Sequence, residues 1–170
     1  FSKAAEDNEA FLNYYRNAVH FQDRAVGDMI DTIRSSAFGS RTVIVYTSDH
    51  GEAFREHGQM AHTFSVLDEE IRVPTWVDAP AGTLTASEEA NLRALRNEPV
   101  THLDLMPTFL DLMGVWDAPE LSRLHVKLGG QSLLRAPYDV RTLPLTNCSA
   151  LWTCPFKNWG MIRGMMKIEA

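Results

Sequence analysis

Three things are scarce in this sequence: cysteine, long apolar runs and clustered positive charge. No stretch approaches the roughly 18 apolar residues that a membrane-crossing helix needs, which excludes such a helix within these residues. Lysine and arginine total 16 against 22 aspartate and glutamate, a formal charge of -6 with no basic run to offset it. That balance argues against a nucleic-acid partner and against simple attraction to an anionic membrane surface. An anionic substrate would need a local device, such as a metal ion. The two cysteines, Cys148 and Cys154, have five residues between them and stand beside Pro144, Pro155 and two tryptophans. This setting fits a small disulfide loop and an oxidising, extracytoplasmic compartment, and equally two unrelated buried thiols.

What is present is an ordinary globular composition, 45% hydrophobic and 22% charged over 170 residues, enough to bury a core. Phe1 is not an initiator methionine, and Phe1 to Asn8 has neither the basic nor the apolar region of a signal peptide, so the chain reads as a piece of something longer. From Ala10 to Arg34, Phe11, Tyr15, Ala18, Val26, Met29 and Ile33 recur on one face of a helix, with Gln22 the one lapse. Thr42 to Thr47 is a β-branched run of the kind buried on both faces of a sheet. A helix feeding such a strand predicts an α/β fold. Ile71 to Val77 reads as a second strand, and Ser87 as the cap of a helix with Glu88 and Glu89 in its first turn. Thr101 to Met113 reads as an amphipathic helix starting near Asp104, with Pro107 in its first turn and Gly114 as its stop. Ala118 to Arg141 reads as an irregular connection, and Trp159 to Ile168 as a closing strand or hairpin.

The chemistry is concentrated between the first two strands. Ser48-Asp49-His50-Gly51-Glu52, then His57-Gly58 and His62, fall within 15 positions of one aperiodic loop at a strand's C-terminal end, where open α/β sheets place their ligands. Adjacent Asp49 and His50 both reach one cation if the backbone turns sharply, which Gly51 would allow. A hard carboxylate with an imidazole suits zinc, manganese or a similar ion. Glu52 fits a supporting or helix-start role better than that of a third ligand.

Val43 to Glu52, His57-Gly58 and Asp68-Glu-Glu-Ile-Arg-Val-Pro74 together closely resemble the sulfatase family of the alkaline phosphatase superfamily. Val100 to Gly114, Gly130-Gln-Ser-Leu-Leu134 and Asn158 to Arg163 with Lys167 resemble the elements that follow in that family, and the helix around Asn17 to Asp23 also fits. The resemblance implies a three-layer α/β sandwich with a mixed sheet flanked by helices, incomplete here on its N-terminal side. It divides the chain into residues 1–145, part of the catalytic domain, and 146–170, the start of a small C-terminal subdomain. It implies Asp49 and His50 as ligands of a divalent ion (Ca, Mn, Mg or Zn), and His62 as a contact to the substrate anion. His57 reads as loop-structuring first and as catalytic second, Glu70 and Arg72 as an ion pair at the strand entry, and His20 and His102 as structural.

The departures from the family pattern carry equal weight. The Cys- or Ser-x-Pro-x-Arg nucleophile motif does not occur ahead of Asp49, nor do the paired acidic ligands from the start of the family's fold. Thr153-Cys-Pro155-Phe-Lys157 comes too late to serve as that motif. Three readings follow. The first is part of a sulfate-ester hydrolase, inert alone, whose partner is the N-terminal half of its own domain and whose membrane association would lie in that missing region. The second is an envelope transferase of phosphoethanolamine or phosphoglycerol, and the third a pseudoenzyme binding lipid or protein. Incompleteness of the sheet further predicts an exposed strand edge and self-association.

Overall fold

The computed structural model describes residues 2–62, 65–136, 142–146, 159–163 and 166–169. Cys148 and Cys154 lie outside them. The chain divides into two compact units, Phe1–Thr83 with Thr146–Trp159, and Leu84–Leu145 with Gly160–Ala170. Helices and small antiparallel sheets alternate along it, the mixed composition expected of an incomplete α/β sandwich.

The first unit begins with helix α1, Ser2–Ser35, longer than its apolar periodicity alone predicts. Strand β1, Ile44–Thr47, follows after a 3-10 turn; then come the two-residue strands β2, Ala53–Phe54, and β3, Met60–Ala61, the short helix α2, Asp68–Ile71, and strand β4, Thr75–Asp78. β1 pairs antiparallel with β4, Ile44 opposite Asp78 and Thr47 opposite Thr75. Arg34, in the last turn of α1, fixes this end of the unit. Its Nε and Nη2 donate to the Asp78 carboxylate at 3.1 and 2.6 Å, and its Nη1 to the carbonyls of Gly39 and Thr42. A cation here suits the helix dipole, and the planar fork of arginine also ties helix, turn and strand into one joint.

Two expectations fail in this unit for local reasons. Ile71 ends a helix rather than opening a strand, because the Glu70 and Ile71 N–H groups both bond back to the Leu67 carbonyl; pairing resumes only beyond Pro74, which has no N–H to give. β1 is half-buried along its whole length rather than sealed on both faces, since β4 is its only sheet neighbour among the described residues. α1 likewise leaves Tyr14, Phe21 and Met29 more than half exposed. An unpaired edge beside an uncovered apolar helix face predicts that the purified chain self-associates. Light scattering should find species heavier than the 19.1 kDa monomer, and a monodisperse monomer would contradict this.

In the second unit, helix α3, Ala86–Ala94, is capped by Thr85 rather than Ser87. Thr85 and Glu88 hold the spacing of a capping box: Glu88 N–H donates to Thr85 Oγ1, and Thr85 N–H to Glu88 Oε2 at 2.6 Å. Helix α4, Leu105–Leu112, starts just after Asp104 as expected, with Pro107 in its first turn and buried. Helix α5, Ser122–Leu128, occupies part of what the sequence suggests is irregular, and ends at Gly129. Strands β5, Thr142–Thr146, β6, Trp159–Arg163, and β7, Met166–Glu169, form a sheet in that order; β6 and β7 make the expected hairpin.

The joint of this unit is polar. Asp104 is wholly buried, and its carboxyl accepts from Thr101 N–H at 2.9 Å, from Thr101 Oγ1 at 3.2 Å and from Gln131 N–H at 2.9 Å. Thr108 Oγ1 donates to the Asp104 carbonyl at 2.6 Å and accepts from Leu133 N–H at 2.9 Å. Gly130 makes the approach feasible, since a Cβ there would lie 1.9 Å from the Leu103 carbonyl oxygen. The α4 segment and Gly130–Leu134 are therefore one assembly, which places Leu133 and Leu134 in the core.

Arg135 closes the same assembly from outside. It grips Asp111 through Nε and Nη2 at 2.8 and 2.6 Å, and Asp117 through Nη1 and Nη2 at 2.9 and 2.7 Å. The Arg135 hydrogen bonds, helped by Ser132, hold the Asp111 carboxyl below the ordinary carboxylate value. A depressed carboxyl stabilises the fold above its unfolded value and loses that contribution as pH falls through the lower folded one. Stability should therefore be level near neutrality and decline below about pH 4. Arg135→Gln should cost about 1 kcal/mol at pH 7, a figure reduced for the exposure of Arg135, and should flatten the acid limb. An unchanged acid limb in urea unfolding across pH 3 to 7 would refute the link.

Candidate metal and anion site

β1 ends at Thr47 and hands the chain to half-buried Ser48 and then to Asp49 and His50, which face the solvent. Their turn is built locally. Ser48 Oγ donates to the His50 carbonyl at 2.8 Å, and His50 N–H donates to Asp49 Oδ1 at 3.0 Å. That backbone hydrogen bond, followed by the neighbouring imidazole, holds the Asp49 carboxyl below its ordinary value, so it is an acceptor-only carboxylate at neutral pH.

Gly51 is needed here for space rather than for a left-handed backbone. Its N–H donates to the Glu70 carbonyl at 2.8 Å, and a Cβ would sit 2.1 Å from the Glu69 carbonyl oxygen. The loop is thus pressed against α2. Gly51→Ala should force the two apart and cost about 1–3 kcal/mol, read as a lower urea midpoint. A midpoint equal to that of the parent chain would show that the contact gives way freely.

The tautomer of His50 follows from its neighbours. Nδ1 lies 2.8 Å from the Gly51 carbonyl, which only accepts, so Nδ1 carries the proton and the Nε2 lone pair is left for a ligand. This backbone-anchored imidazole is the usual arrangement of metal-binding histidine. Nε2 lies 3.7 Å from Asp49 Oδ2. Two donors that each reach a cation at about 2.0–2.2 Å lie no more than about 4 Å apart, so the pair fits one divalent ion without rearrangement.

His62 arrives from the far side of the loop. The short hairpin β2–β3, with Ala53 opposite Ala61, folds the chain back and stacks the His62 ring on His50 at a centroid distance of 3.9 Å. Glu52 Oε2 lies 3.1 Å from His62 Nδ1. His50, Glu52 and His62 each present a donor atom, all within 4.8 Å of one another. The hairpin was not foreseen in the aperiodic loop, although Gly58, with φ +79°, marks its turn. Neither was the Glu52–His62 contact, since a separation of ten positions leaves no periodic signal.

His57 stands elsewhere, its Nδ1 2.6 Å from Glu69 Oε1, where it ties the hairpin turn to α2. The ion pair expected between Glu70 and Arg72 gives way to separate partners. Glu70 is buried and accepts from Ser65 Oγ at 2.6 Å, while Arg72, on the outer side of α2, reaches Asp68 at 3.4 Å. One helical turn separates the second pair, and burial of Glu70 favours a short hydroxyl donor over a long cationic side chain.

Comparison with known proteins gives the family. The Sulfatase family model matches residues 1–115. Bovine (Bos taurus) arylsulfatase K is 31% identical over 112 residues, which cover 66% of this chain and 18% of the relative. The uncharacterized sulfatase YidJ of Escherichia coli K12 is 29% identical over 101 residues, covering 59% and 18%. The choline-sulfatase of Rhizobium meliloti is 28% identical over 102 residues, covering 60% and 18%. The matched segment thus spans less than a fifth of the length of these relatives.

Proposed function

The chain belongs to the sulfatase family, and from that premise we propose that it supplies the metal-binding loop of a hydrolase acting on sulfate esters. Asp49 and His50 hold the divalent ion, His62 contacts the substrate anion, and the nucleophile comes from sequence outside this chain. The observation that supports this reading best is the Asp49–His50 pair, with its donor atoms 3.7 Å apart and its imidazole lone pair freed by the Gly51 carbonyl. A divalent ion there would draw charge from the ester oxygens and activate the nucleophile.

The chain's own residues do the positioning. The Ser48 and His50 hydrogen bonds fix Asp49, Gly51 keeps the loop close to α2, and the hairpin brings His62 over His50. Residues 1–145 belong to the catalytic domain in this reading and 146–170 begin a small C-terminal subdomain. The site works outside the cytoplasm. No described helix is long and apolar enough to cross a membrane.

The test is substrate comparison. The 170-residue chain alone should show no turnover above background. The longer polypeptide that carries it should release sulfate from an aryl sulfate faster than phosphate from the matching aryl phosphate ester. A preference for phospholipid headgroup transfer would favour the transferase reading, and turnover of neither class would favour a binding domain.

A further inference from the structure

We infer that His50, Glu52 and His62 form a three-donor site for a late first-row divalent ion of the zinc class, separate from the Asp49–His50 pairing and sharing only His50 with it. Their donor atoms all lie within 4.8 Å of one another. Two imidazoles with one carboxylate is a donor set that zinc takes in sites with an open fourth position. Bond lengths of about 2.0–2.2 Å place the donors of a tetrahedral ion about 3.4 Å apart. The Glu52 Oε2 to His62 Nδ1 separation of 3.1 Å already matches one such edge. Bringing in the third donor takes a shift of about 1.5 Å, with the stacked rings rotating so that both lone pairs converge.

Two features prepare the site. His50 Nδ1 is committed to the Gly51 carbonyl, which leaves Nε2 to ligate, and the 3.9 Å ring stack holds His62 beside it. All three side chains are partly exposed, His50 at 42%, His62 at 40% and Glu52 at 27%, so an ion has access and the fourth position opens to water. Binding replaces the His62–Glu52 hydrogen bond and moves the His62 ring proton from Nδ1 to Nε2. Two nitrogens among three donors favour zinc, cobalt or nickel over calcium and magnesium, which prefer all-oxygen shells. Occupancy would withdraw His62 from an anionic substrate, making a zinc-class ion an inhibitor of the site proposed above. The inference rests on the donor geometry and stands whether or not the hydrolase reading does.

Calorimetric titration of the metal-free 170-residue chain with zinc chloride tests it, with cobalt chloride as a spectroscopic companion. One equivalent should bind, and cobalt should show the intense visible bands of a tetrahedral centre. Glu52→Gln and His62→Ala should each weaken zinc by at least about tenfold, equivalent to about 1.4 kcal/mol, while Asp49→Asn should leave it within about threefold. Glu52→Gln preserves shape, and an unchanged melting temperature certifies its fold. Absence of binding, binding indifferent to both Glu52→Gln and His62→Ala, or binding lost on Asp49→Asn would overturn the proposal. Failure of the hydrolase reading would appear in sulfate release and leave this titration unaltered.

Discussion

Asp49→Ala, made in the longer polypeptide, should lower kcat for sulfate-ester hydrolysis by about a thousandfold or more, equivalent to about 4 kcal/mol of transition-state stabilisation. Asp49 carries no load in the fold that could account for such a loss. Its side chain is 86% exposed, and its bonds are to Ser48 and His50 alone in the described geometry. Urea unfolding should accordingly give the same midpoint for the variant and the parent. Even residues one step removed from a metal typically cost 10–100-fold when lost, so a direct ligand should exceed that. A loss below about tenfold would place Asp49 outside the chemistry, and a lowered urea midpoint would turn the effect into one of folding.

Asp104→Ala should have the largest effect on stability, about 3 kcal/mol. The cost comes from what is left behind. Thr101 N–H and Gln131 N–H lose their shared acceptor in a place water does not reach, and the Gly130–Leu134 strap loses one of its ties to the α4 segment, keeping those from Ser132 to Asp111 and from Leu133 to Thr108. Asp104→Asn should recover only part of this, because its amide nitrogen would face a donor. Urea unfolding followed by circular dichroism reads both variants. An Asp104→Ala midpoint within experimental error of the parent chain would show that the buried carboxyl is replaceable by solvent.

How far the sequence discloses this molecule depends on the range of the interaction. The α4 start near Asp104, the Gly114 stop and the β6–β7 hairpin follow from rules that act over a few residues, and they hold. The Thr85 cap is equally local. Ser87 and Thr85 both qualify as caps by residue type, and Glu88, three residues beyond Thr85, decides between them. α5 escaped because Ser122 to Leu128 follows a proline and precedes two glycines, signals that read as loop.

At the site the Asp49–His50 pair is legible as residue types at a strand end, whereas its supports are not. Gly51 against the Glu69 carbonyl and Glu52 against His62 are contacts between positions ten or more residues apart. The hairpin that brings His62 to Glu52 is only two residues long on each side, too short to leave an alternating pattern.

The central claim is that Asp49 and His50 are the metal end of a sulfate-ester hydrolase. Its most direct test is sulfate release by the longer polypeptide, measured by ion chromatography before and after exhaustive removal of metal by a chelator. Release should fall to background on chelation and return on adding back a divalent cation, in the parent and not in Asp49→Ala. Sulfate release that persists in the metal-free polypeptide would contradict the account.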